Sequence, residues 1–376
     1  MKILTTALLL SIAAAARAEA PPVPPPPALA ATAWILVDQA SGQALAGHNT
    51  GERVEPASLT KLMTAYAVFH ALQGGKLTLD ASVPISETAW RSEGSRTYLE
   101  VGTRVPVEVL IQGMIVQSGN DATIALAEAI AGTEATFAAL MNQYARRLGM
   151  RDSHFENSTG LPGADHRMTV ADIARLTRAI IGEFPQYYRW YSQREFTWNN
   201  IRQPNRNGLL ARDPSVDGVK TGMTDAAGYC LVSSALRDGM RLVAVVMGTK
   251  SMKAREDASL ALLNYGFSFF ESRVLQAAGM EMAVARVYKA RSGRAAVGIA
   301  QDLIVTLPRG HAERAELKLE LAPKLFAPLS ASDQVGVLRA LIDGKVVAEA
   351  PLSPLAEVPR GNIFRRIWDT ILSWFA

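Results

Sequence analysis

The stretch Pro56-Ala57-Ser58-Leu59-Thr60-Lys61 opens an apolar segment, and the interpretation of the whole chain depends on it. Apolar side chains recur after it at helical spacing, which predicts a helix with Ser58 at its N-terminus. Residues three apart on a helix are neighbours, so the Lys61 amine can lie beside the Ser58 hydroxyl. A serine next to a base is the arrangement that an activated nucleophile needs. Taken alone, the pattern also fits an ordinary serine helix cap.

The length, composition and charge describe a folded globular protein. The chain has 376 residues, 49% hydrophobic and 20% charged, which favours two folded domains. Its formal net charge is +4 without a Lys/Arg run, so we expect no nucleic-acid partner. The single cysteine, Cys230, excludes an internal disulfide, and the histidines show no metal-ligand spacing. We therefore expect neither a metal nor another cofactor.

The N-terminus has the pattern of an export signal. A basic residue precedes the mostly apolar run Ile3 to Ala16, and small residues suited to signal-peptidase cleavage follow. We expect residues 1–18 to be a signal peptide. The alternative is an uncleaved anchor, but the run is shorter than the roughly 20 residues that span a bilayer. Residues 19–31 predict a proline-rich linker outside the fold, and the first folded domain is expected over residues 32–272.

Two further motifs follow the first in the chain. Ser118-Gly119-Asn120 lies between two predicted helices and can project a hydroxyl and an amide into a cleft, although it also fits a plain turn. Val216 to Gly222 is a β-rich run that ends in Lys-Thr-Gly. Lys220 and Thr221 would lie on an edge strand able to bind an extended peptide, or Lys220 would be a solvated edge lysine. All three motifs in this order would arise by chance in roughly one chain in a hundred.

Together these motifs resemble those of the low-molecular-mass penicillin-binding proteins, the D-alanyl-D-alanine carboxypeptidases of the penicillin-binding protein 5/6 type. The similarity extends to the blocks Ile201 to Leu210, Asp217 to Gly222 and Leu262 to Phe267. It covers about Thr32 to the C-terminus and is clearest from Trp34 to Phe270. The resemblance implies an α/β (α+β) fold of the β-lactamase/transpeptidase type, with an antiparallel sheet flanked by helices.

The resemblance also implies a covalent mechanism. Ser58 would attack the carbonyl between the two terminal D-alanines of a peptidoglycan stem pentapeptide, and water would hydrolyse the acyl-enzyme. Lys61 would be the general base, with a pKa lowered by burial and neighbouring cations. Ser118 would relay a proton to the leaving amine, and Asn120 would orient Lys61 and the substrate amide. β-Lactams, which mimic D-Ala-D-Ala, would acylate Ser58 as covalent inhibitors.

The Lys-Thr-Gly segment would hold the substrate. By the resemblance, Lys220 and Thr221 would bind its terminal carboxylate, with Gly222 beside them. The backbone N–H groups of Ser58 and Met223 would form the oxyanion hole. Many relatives have histidine in place of Met223, which leaves the deacylation rate open. Arg206 is a further candidate for the substrate carboxylate, although we interpret it first as a structural loop partner.

Other functions stay open from the sequence. The chain could be a β-lactam hydrolase, a DD-endopeptidase acting on crosslinked peptides, or a non-catalytic envelope scaffold. It has Ser118-Gly119-Asn120 where class A β-lactamases have Ser-Asp-Asn, and no clear counterpart of their deacylating glutamate. This difference argues against an efficient β-lactamase. An added C-terminal domain and tail favour a carboxypeptidase over an endopeptidase.

The C-terminal part predicts that domain and tail. Short alternating runs joined by turns predict a β-rich domain over residues 273–358. Residues 359–376 form a tail in which the apolar residues between Ile363 and Phe375 fall on one side of a predicted helix and the polar residues fall on the other. The helix is too short to span a bilayer and suits an in-plane membrane anchor. The alternative is packing against the protein's own core or a second copy. With the export signal, the tail predicts a peripheral protein on the periplasmic face of the cytoplasmic membrane.

Overall fold

The first domain is built around an antiparallel sheet in the computed structural model, which describes residues 23–374. The predicted signal peptide, residues 1–18, therefore lies outside the described residues. The sheet has the strand order β2-β1-β9-β8-β7, so β7 with Lys-Thr-Gly is an edge strand, as predicted. Its strands are β1 Ala33–Asp38, β2 Ala44–His48, β7 Val216–Thr224, β8 Gly228–Arg237 and β9 Met240–Thr249.

Helices cover both faces of this sheet. Short strand pairs, β3 with β4 and β5 with β6, lie outside it. These strands are β3 Ser82–Pro84, β4 Arg104–Pro106, β5 Glu195–Trp198 and β6 Ile201–Pro204. The helices of this domain are α1 Lys61–Gln73, α2 Glu87–Trp90, α3 Val107–Gln112, α4 Asn120–Ala131, α5 Glu134–Arg147, α6 Val170–Glu183, α7 Pro185–Tyr188, α8 Leu209–Arg212 and α9 Met252–Phe269. A further helix, α10 Ile363–Leu372, follows the β-rich domain described below.

Strand β1 shows how the sheet is enclosed. Successive strand residues face opposite sides of a sheet. Ile35 and Val37 join the larger apolar core, which contains most of the helices, whereas Trp34 and Leu36 join a second core with α9. All six residues of β1 are buried as a result. The mixed α and β domain with an antiparallel sheet confirms the predicted fold class.

A β-rich domain follows, as predicted, and has its own apolar core. A six-stranded sheet has the order β14-β16-β17-β12-β11-β15, and β10 pairs with β13. The hairpin between β16 and β17 turns at Asp343 and Gly344. The strands are β10 Phe270–Gln276, β11 Ala283–Tyr288, β12 Arg294–Ile299, β13 Leu303–Pro308, β14 Glu316–Leu321, β15 Leu325–Phe326, β16 Gly336–Ile342 and β17 Lys345–Pro354.

Two predictions about the domain organisation are wrong: the position of the proline-rich linker outside the fold, and the boundary between the two domains. The described part of the 19–31 linker lies on the fold, since Leu29 packs against the core with α9 and the Tyr265 hydroxyl donates to the Pro24 carbonyl at 3.0 Å. A proline-rich segment has no internal hydrogen bonds, so its carbonyls are free to accept such donors. The predicted boundary after residue 272 cuts through β10, because α9 ends at Phe269 and β10 begins at Phe270 without a turn.

Within residues 23–374, no single helix combines the length and apolar character needed to cross a membrane. Among these residues, the bent pair α4 and α5 has the length and composition of a membrane span when the two helices are taken together. The same part of the chain contains no group of three or more His, Cys, Asp or Glu side chains placed to hold a metal ion.

Candidate active site

The Ser58 hydroxyl and the Lys61 amine are in direct contact where helix α1 begins. Residues 57–60 form a 3₁₀ turn, and the α-helix begins only at Lys61. Lys61 Nζ lies 2.9 Å from Ser58 Oγ and donates to the Thr159 carbonyl oxygen at 2.8 Å. The capping positions of the turn and the helix are Pro56 and Thr60. The alternative interpretation of Ser58 as a helix cap is therefore wrong.

The residue before the candidate nucleophile has an uncommon backbone conformation. Ala57 has φ of 47°, in the left-handed region that costs a non-glycine residue about 1–2 kcal/mol. Gly160 packs against the same residue, because a Cβ built on Gly160 would meet the Ala57 carbonyl. The loop that contains Gly160 also supplies the Thr159 carbonyl bonded to Lys61. This loop therefore supports both Lys61 and the turn that carries Ser58.

Burial changes the acid–base behaviour of Lys61. The side chain is 1% exposed, and desolvation together with the charge of Arg206 lowers its pKa from 10.5 to about 7. The carboxylates of Asp121 and Glu134 oppose this shift only in part. A substantial fraction of Lys61 is consequently neutral at physiological pH. A neutral amine 2.9 Å from a hydroxyl can accept its proton.

The Ser-Gly-Asn motif follows a π-helical turn at the end of α3, over Gly113–Gln117. Such turns are rare and often occur at functional sites, and the sequence did not predict this one. Ser118 has φ of 64°, and its buried Oγ has no hydrogen-bond partner among the described residues. Asn120 Oδ1 is also buried and unpartnered there, whereas its Nδ2 donates to the Glu93 carbonyl. The motif thus leaves a hydroxyl and an amide oxygen free for a ligand.

Strand β7 brings the Lys-Thr-Gly motif against Ser58. A Cβ on Gly222 would lie 3.3 Å from Ser58 N, so glycine permits the close approach of strand and turn. Lys220 is 3% exposed, which shows that its interpretation as a solvated edge lysine is wrong. Its Nζ donates to the Thr221 carbonyl at 3.0 Å. Burial, and then the charge of Lys61, hold the pKa of Lys220 well below its usual range.

Two arginines complete the positive environment of the site. Arg206 donates to Gln117 Oε1 at 3.3 Å and also lines the cleft beside Ser58, so it is more than a loop partner. Arg255, which the sequence analysis missed, is 4% exposed and donates from α9 to the Gly222 carbonyl at 3.3 Å. It lies in no recognisable motif, and only the packing of α9 on the sheet brings it to the site.

These elements enclose a cleft of about 510 Å³. Lys61 and Lys220 lie behind it, hydrogen-bonded to Ser58 and to the Thr221 backbone. Met223 is 52% exposed, and its side chain adds an apolar part to the wall. The structure therefore brings all the predicted site residues together. Those that line the cleft are Ser58, Ser118, Asn120, Arg206, Thr221, Gly222 and Met223.

Comparison with known proteins agrees with this geometry. The family model of D-alanyl-D-alanine carboxypeptidases (Peptidase_S11) matches residues 17–251, and the model of the penicillin-binding protein 5 C-terminal domain matches residues 270–360. The D-alanyl-D-alanine carboxypeptidase DacA of Escherichia coli K12 is 40% identical over 353 residues, which cover 92% of this chain and 88% of that protein.

Solved structures show the same relationship. Penicillin-binding protein 5 from Haemophilus influenzae superposes with a TM-score of 0.84 at 39% identity, covering 89% of this chain and 99% of that one. Penicillin-binding protein D2 from Listeria monocytogenes, in its ampicillin-bound form, has a TM-score of 0.60 at 29% identity, covering 65% of this chain and 100% of that one. The chain therefore belongs to the D-alanyl-D-alanine carboxypeptidase family of serine-type penicillin-binding proteins.

Proposed function

We propose that this protein removes the terminal D-alanine from peptidoglycan stem pentapeptides through an acyl-enzyme on Ser58. The observation that carries the proposal is the buried Lys61 amine, 2.9 Å from Ser58 Oγ, with its pKa lowered to about 7. The test is release of free D-alanine from a pentapeptide ending in D-Ala-D-Ala. No release by the folded protein would refute the proposed activity.

In the acylation step, Ser58 Oγ forms a bond to the carbonyl carbon of the penultimate D-alanine. Its proton passes to the neutral Lys61 amine, which is already within hydrogen-bond distance. Negative charge then develops on the former carbonyl oxygen, which would be held by the backbone N–H groups of Ser58 and Met223. The close packing of Gly222 against Ser58 N supports this assignment, because it places the two backbone segments side by side.

In the second half of acylation, the C–N bond breaks and the terminal D-alanine leaves with a proton on its amine. Ser118 is suited to relay that proton, since its buried hydroxyl has no other partner among the described residues. Asn120 Oδ1 is equally free to accept from the substrate amide N–H. Water then attacks the ester, with Lys61 again as the base, and releases the shortened peptide and free Ser58.

The positive charge around the cleft supports recognition of a terminal carboxylate. Burial lowers the pKa of Lys220, and the charges of Lys61, Arg206 and Arg255 lower it further, because each of these cations repels a protonated Lys220. A carboxylate bound beside Lys220 and Thr221 would relieve that repulsion and favour the protonated lysine. A peptide ending in a free carboxylate, as D-Ala-D-Ala does, supplies such an anion.

Replacing Lys220 with glutamine is therefore expected to raise KM for the pentapeptide by about tenfold to a hundredfold, with a smaller change in kcat. A hydrogen bond to a charged group contributes about 1.5–3 kcal/mol, which corresponds to this range. The measurement compares the pentapeptide acid with its C-terminal amide. Wild type should prefer the acid, and Lys220→Gln should lose most of the preference. A variant with the full preference for the acid would exclude Lys220 from carboxylate binding.

We further propose that the mature protein is exported and held at the periplasmic face of the cytoplasmic membrane by helix α10. The N-terminal sequence pattern supports export. The pattern of buried and exposed side chains in α10 supports the anchor, because it is the reverse of the pattern in a surface helix of a soluble protein. Asp369 and Ser373 are buried, whereas most of the large apolar side chains of residues 363–374 are exposed. The exposed ones are Ile363, Phe364, Ile367, Trp368, Ile371 and Trp374.

This orientation argues against packing of the apolar side on the protein's own core. Each large apolar side chain left in water forgoes about 1.5–3 kcal/mol of burial free energy, so an external apolar partner is expected. Truncation after Arg360 should release the protein from membranes and leave D-alanine release from a soluble pentapeptide unchanged. The measurement is membrane fractionation of both forms. Retention of the truncated protein in the membrane fraction would refute the anchor.

A further inference from the structure

Helix α10 is attached to the β-rich domain by its polar side. Asp369 is 4% exposed and accepts a hydrogen bond from the backbone N–H of Lys289 at 2.5 Å. At the end of the helix, Lys324 Nζ donates to the Ser373 carbonyl oxygen at 2.8 Å. Arg365, Asp369 and Ser373 are spaced four apart and therefore share one face. That face is fixed to the domain, and the apolar side chains are left on the free surface.

Basic residues lie around this attachment, of which Lys289 is partly exposed and Arg291, Arg360 and Arg366 are exposed. Ala290 pairs with Arg360 as an isolated bridge, and the Arg291 backbone N–H donates to the Pro359 carbonyl at 3.1 Å. These contacts bring the turn after β11 beside the start of α10. Within residues 23–374, the one base here with a salt bridge is Arg365, 3.5 Å from Asp369. Four of the bases without a salt bridge among these residues are named here the basic collar: Lys289, Arg291, Arg360 and Arg366.

We propose that the basic collar and the apolar side of α10 form one composite surface for a bilayer that contains anionic lipids, with Asp369 holding the helix so that both parts engage together. The proposal rests on the membrane anchoring proposed above and adds two claims to it. One is that the β-rich domain itself contacts headgroups. The other is that the helix binds as a docked, preformed part of that domain.

The chemistry favours a lipid surface over a second copy of the chain. Anionic headgroups lie directly above an apolar layer, so a bilayer meets unpaired cations and apolar side chains at the same time. A two-fold dimer through α10 would place the same patch on both subunits. It would therefore bring two basic collars close to one another. Like charges brought close together oppose association.

The first test uses the full mature chain with vesicles of phosphatidylcholine alone or mixed with phosphatidylglycerol. Wild type should bind the anionic vesicles more tightly, and the preference should shrink as salt rises. The triple variant Lys289→Gln, Arg291→Gln, Arg360→Gln should lose about a hundredfold in affinity for anionic vesicles, since each base near an anionic surface contributes about fivefold. Its affinity for phosphatidylcholine should not change. None of these three side chains hydrogen-bonds to α10, so the helix stays docked.

The matched control changes the same number of charges elsewhere. Lys76, Arg146 and Lys345 are exposed and have no salt bridge within residues 23–374. Their combined replacement by glutamine should alter vesicle binding only slightly. An equal loss of affinity for anionic vesicles in both triple variants would mean that only net charge matters. This result would refute the role proposed for the basic collar.

The second test addresses the attachment. Asp369→Ala removes the acceptor for the Lys289 N–H and should abolish most of the salt dependence of vesicle binding. When Asp369→Ala is combined with the triple collar variant, the further loss of affinity for anionic vesicles should be small, because both changes remove the same joint contact. Fully additive losses of vesicle affinity would contradict the proposal that the collar and the helix form one composite surface.

The remaining outcomes separate this inference from the anchor itself. Wild type that binds both vesicle types equally would retain the anchor and refute the collar. Wild type that binds neither would refute the anchor as well. A tail-dependent dimer in solution that Trp368→Glu converts to monomer would replace the bilayer with a second copy as the partner.

Discussion

Replacing Ser58 with alanine is expected to abolish covalent labelling by penicillin and to lower D-alanine release by at least about 10⁴-fold. Ser58 is the hydroxyl that Lys61 contacts at the wall of the cleft, so no other serine can take its place without rebuilding the site. The fold should survive, because Lys61 keeps its hydrogen bond to the Thr159 carbonyl. Mass spectrometry after penicillin exposure, together with the D-alanine assay, measures both effects.

A matched control is Ser95→Ala, since Ser95 lines the same cleft without contacting Lys61. This variant should still be labelled and active. A stable adduct on Ser58 in wild type, absent from Ser58→Ala, excludes a non-catalytic scaffold. Rapid penicillin turnover without an accumulating adduct would instead support the β-lactam hydrolase. An adduct that persists in Ser58→Ala would contradict the assignment of the nucleophile.

The second large effect is expected on the acylation rate, through the protonation state of Lys61. Its pKa is lowered to about 7, and only the neutral amine can accept the Ser58 proton. Below pH 7 the amine is protonated, so the acylation rate should fall as pH falls. Above pH 7 it should level off. The pH dependence of kcat/KM reports the free enzyme and should therefore rise to a plateau through a pKa near 7.

Lys61→Arg should remove this pH dependence and slow acylation by about 10²–10⁴-fold, because a guanidinium stays protonated and cannot act as a base. The control is Lys220→Gln, which should bind the substrate more weakly and keep the rise with pH. If Lys61→Arg keeps the wild-type rise and Lys220→Gln loses it, Lys220 is the base. The stopped-flow rate of penicillin acylation over a range of pH distinguishes the two lysines.

Much of the fold could be predicted from local patterns. The β-rich apolar run of β1 and the hairpin turn between β8 and β9 are visible in the sequence, and so is the cap of α6, where Thr169 accepts from the Asp172 N–H. The boundary between the domains was predicted wrongly, because α9 leads into β10 without any turn residue. The π-helical turn before Ser118 was not predicted, since nothing in local propensity distinguishes it from an α-helix.

The chemistry of the site could also be predicted from the sequence only in part. The order and spacing of the three motifs identified Ser58, Lys61 and Lys220 as candidates before any contact was known. Their protonation states could not be predicted, because desolvation depends on how completely the fold covers each amine. Arg255 belongs to no motif and reaches the Gly222 carbonyl only because α9 packs on the sheet.

Residue identity and local spacing are enough to show which groups are available for reaction and that the C-terminal helix is amphipathic. The folded arrangement is needed to explain why the pKa of Lys61 falls to about 7, why Lys220 is buried on an edge strand, and why Asp369 turns the polar side of α10 toward the protein. Burial and charge–charge interaction arise between segments far apart in the chain, and these segments meet only in the folded state.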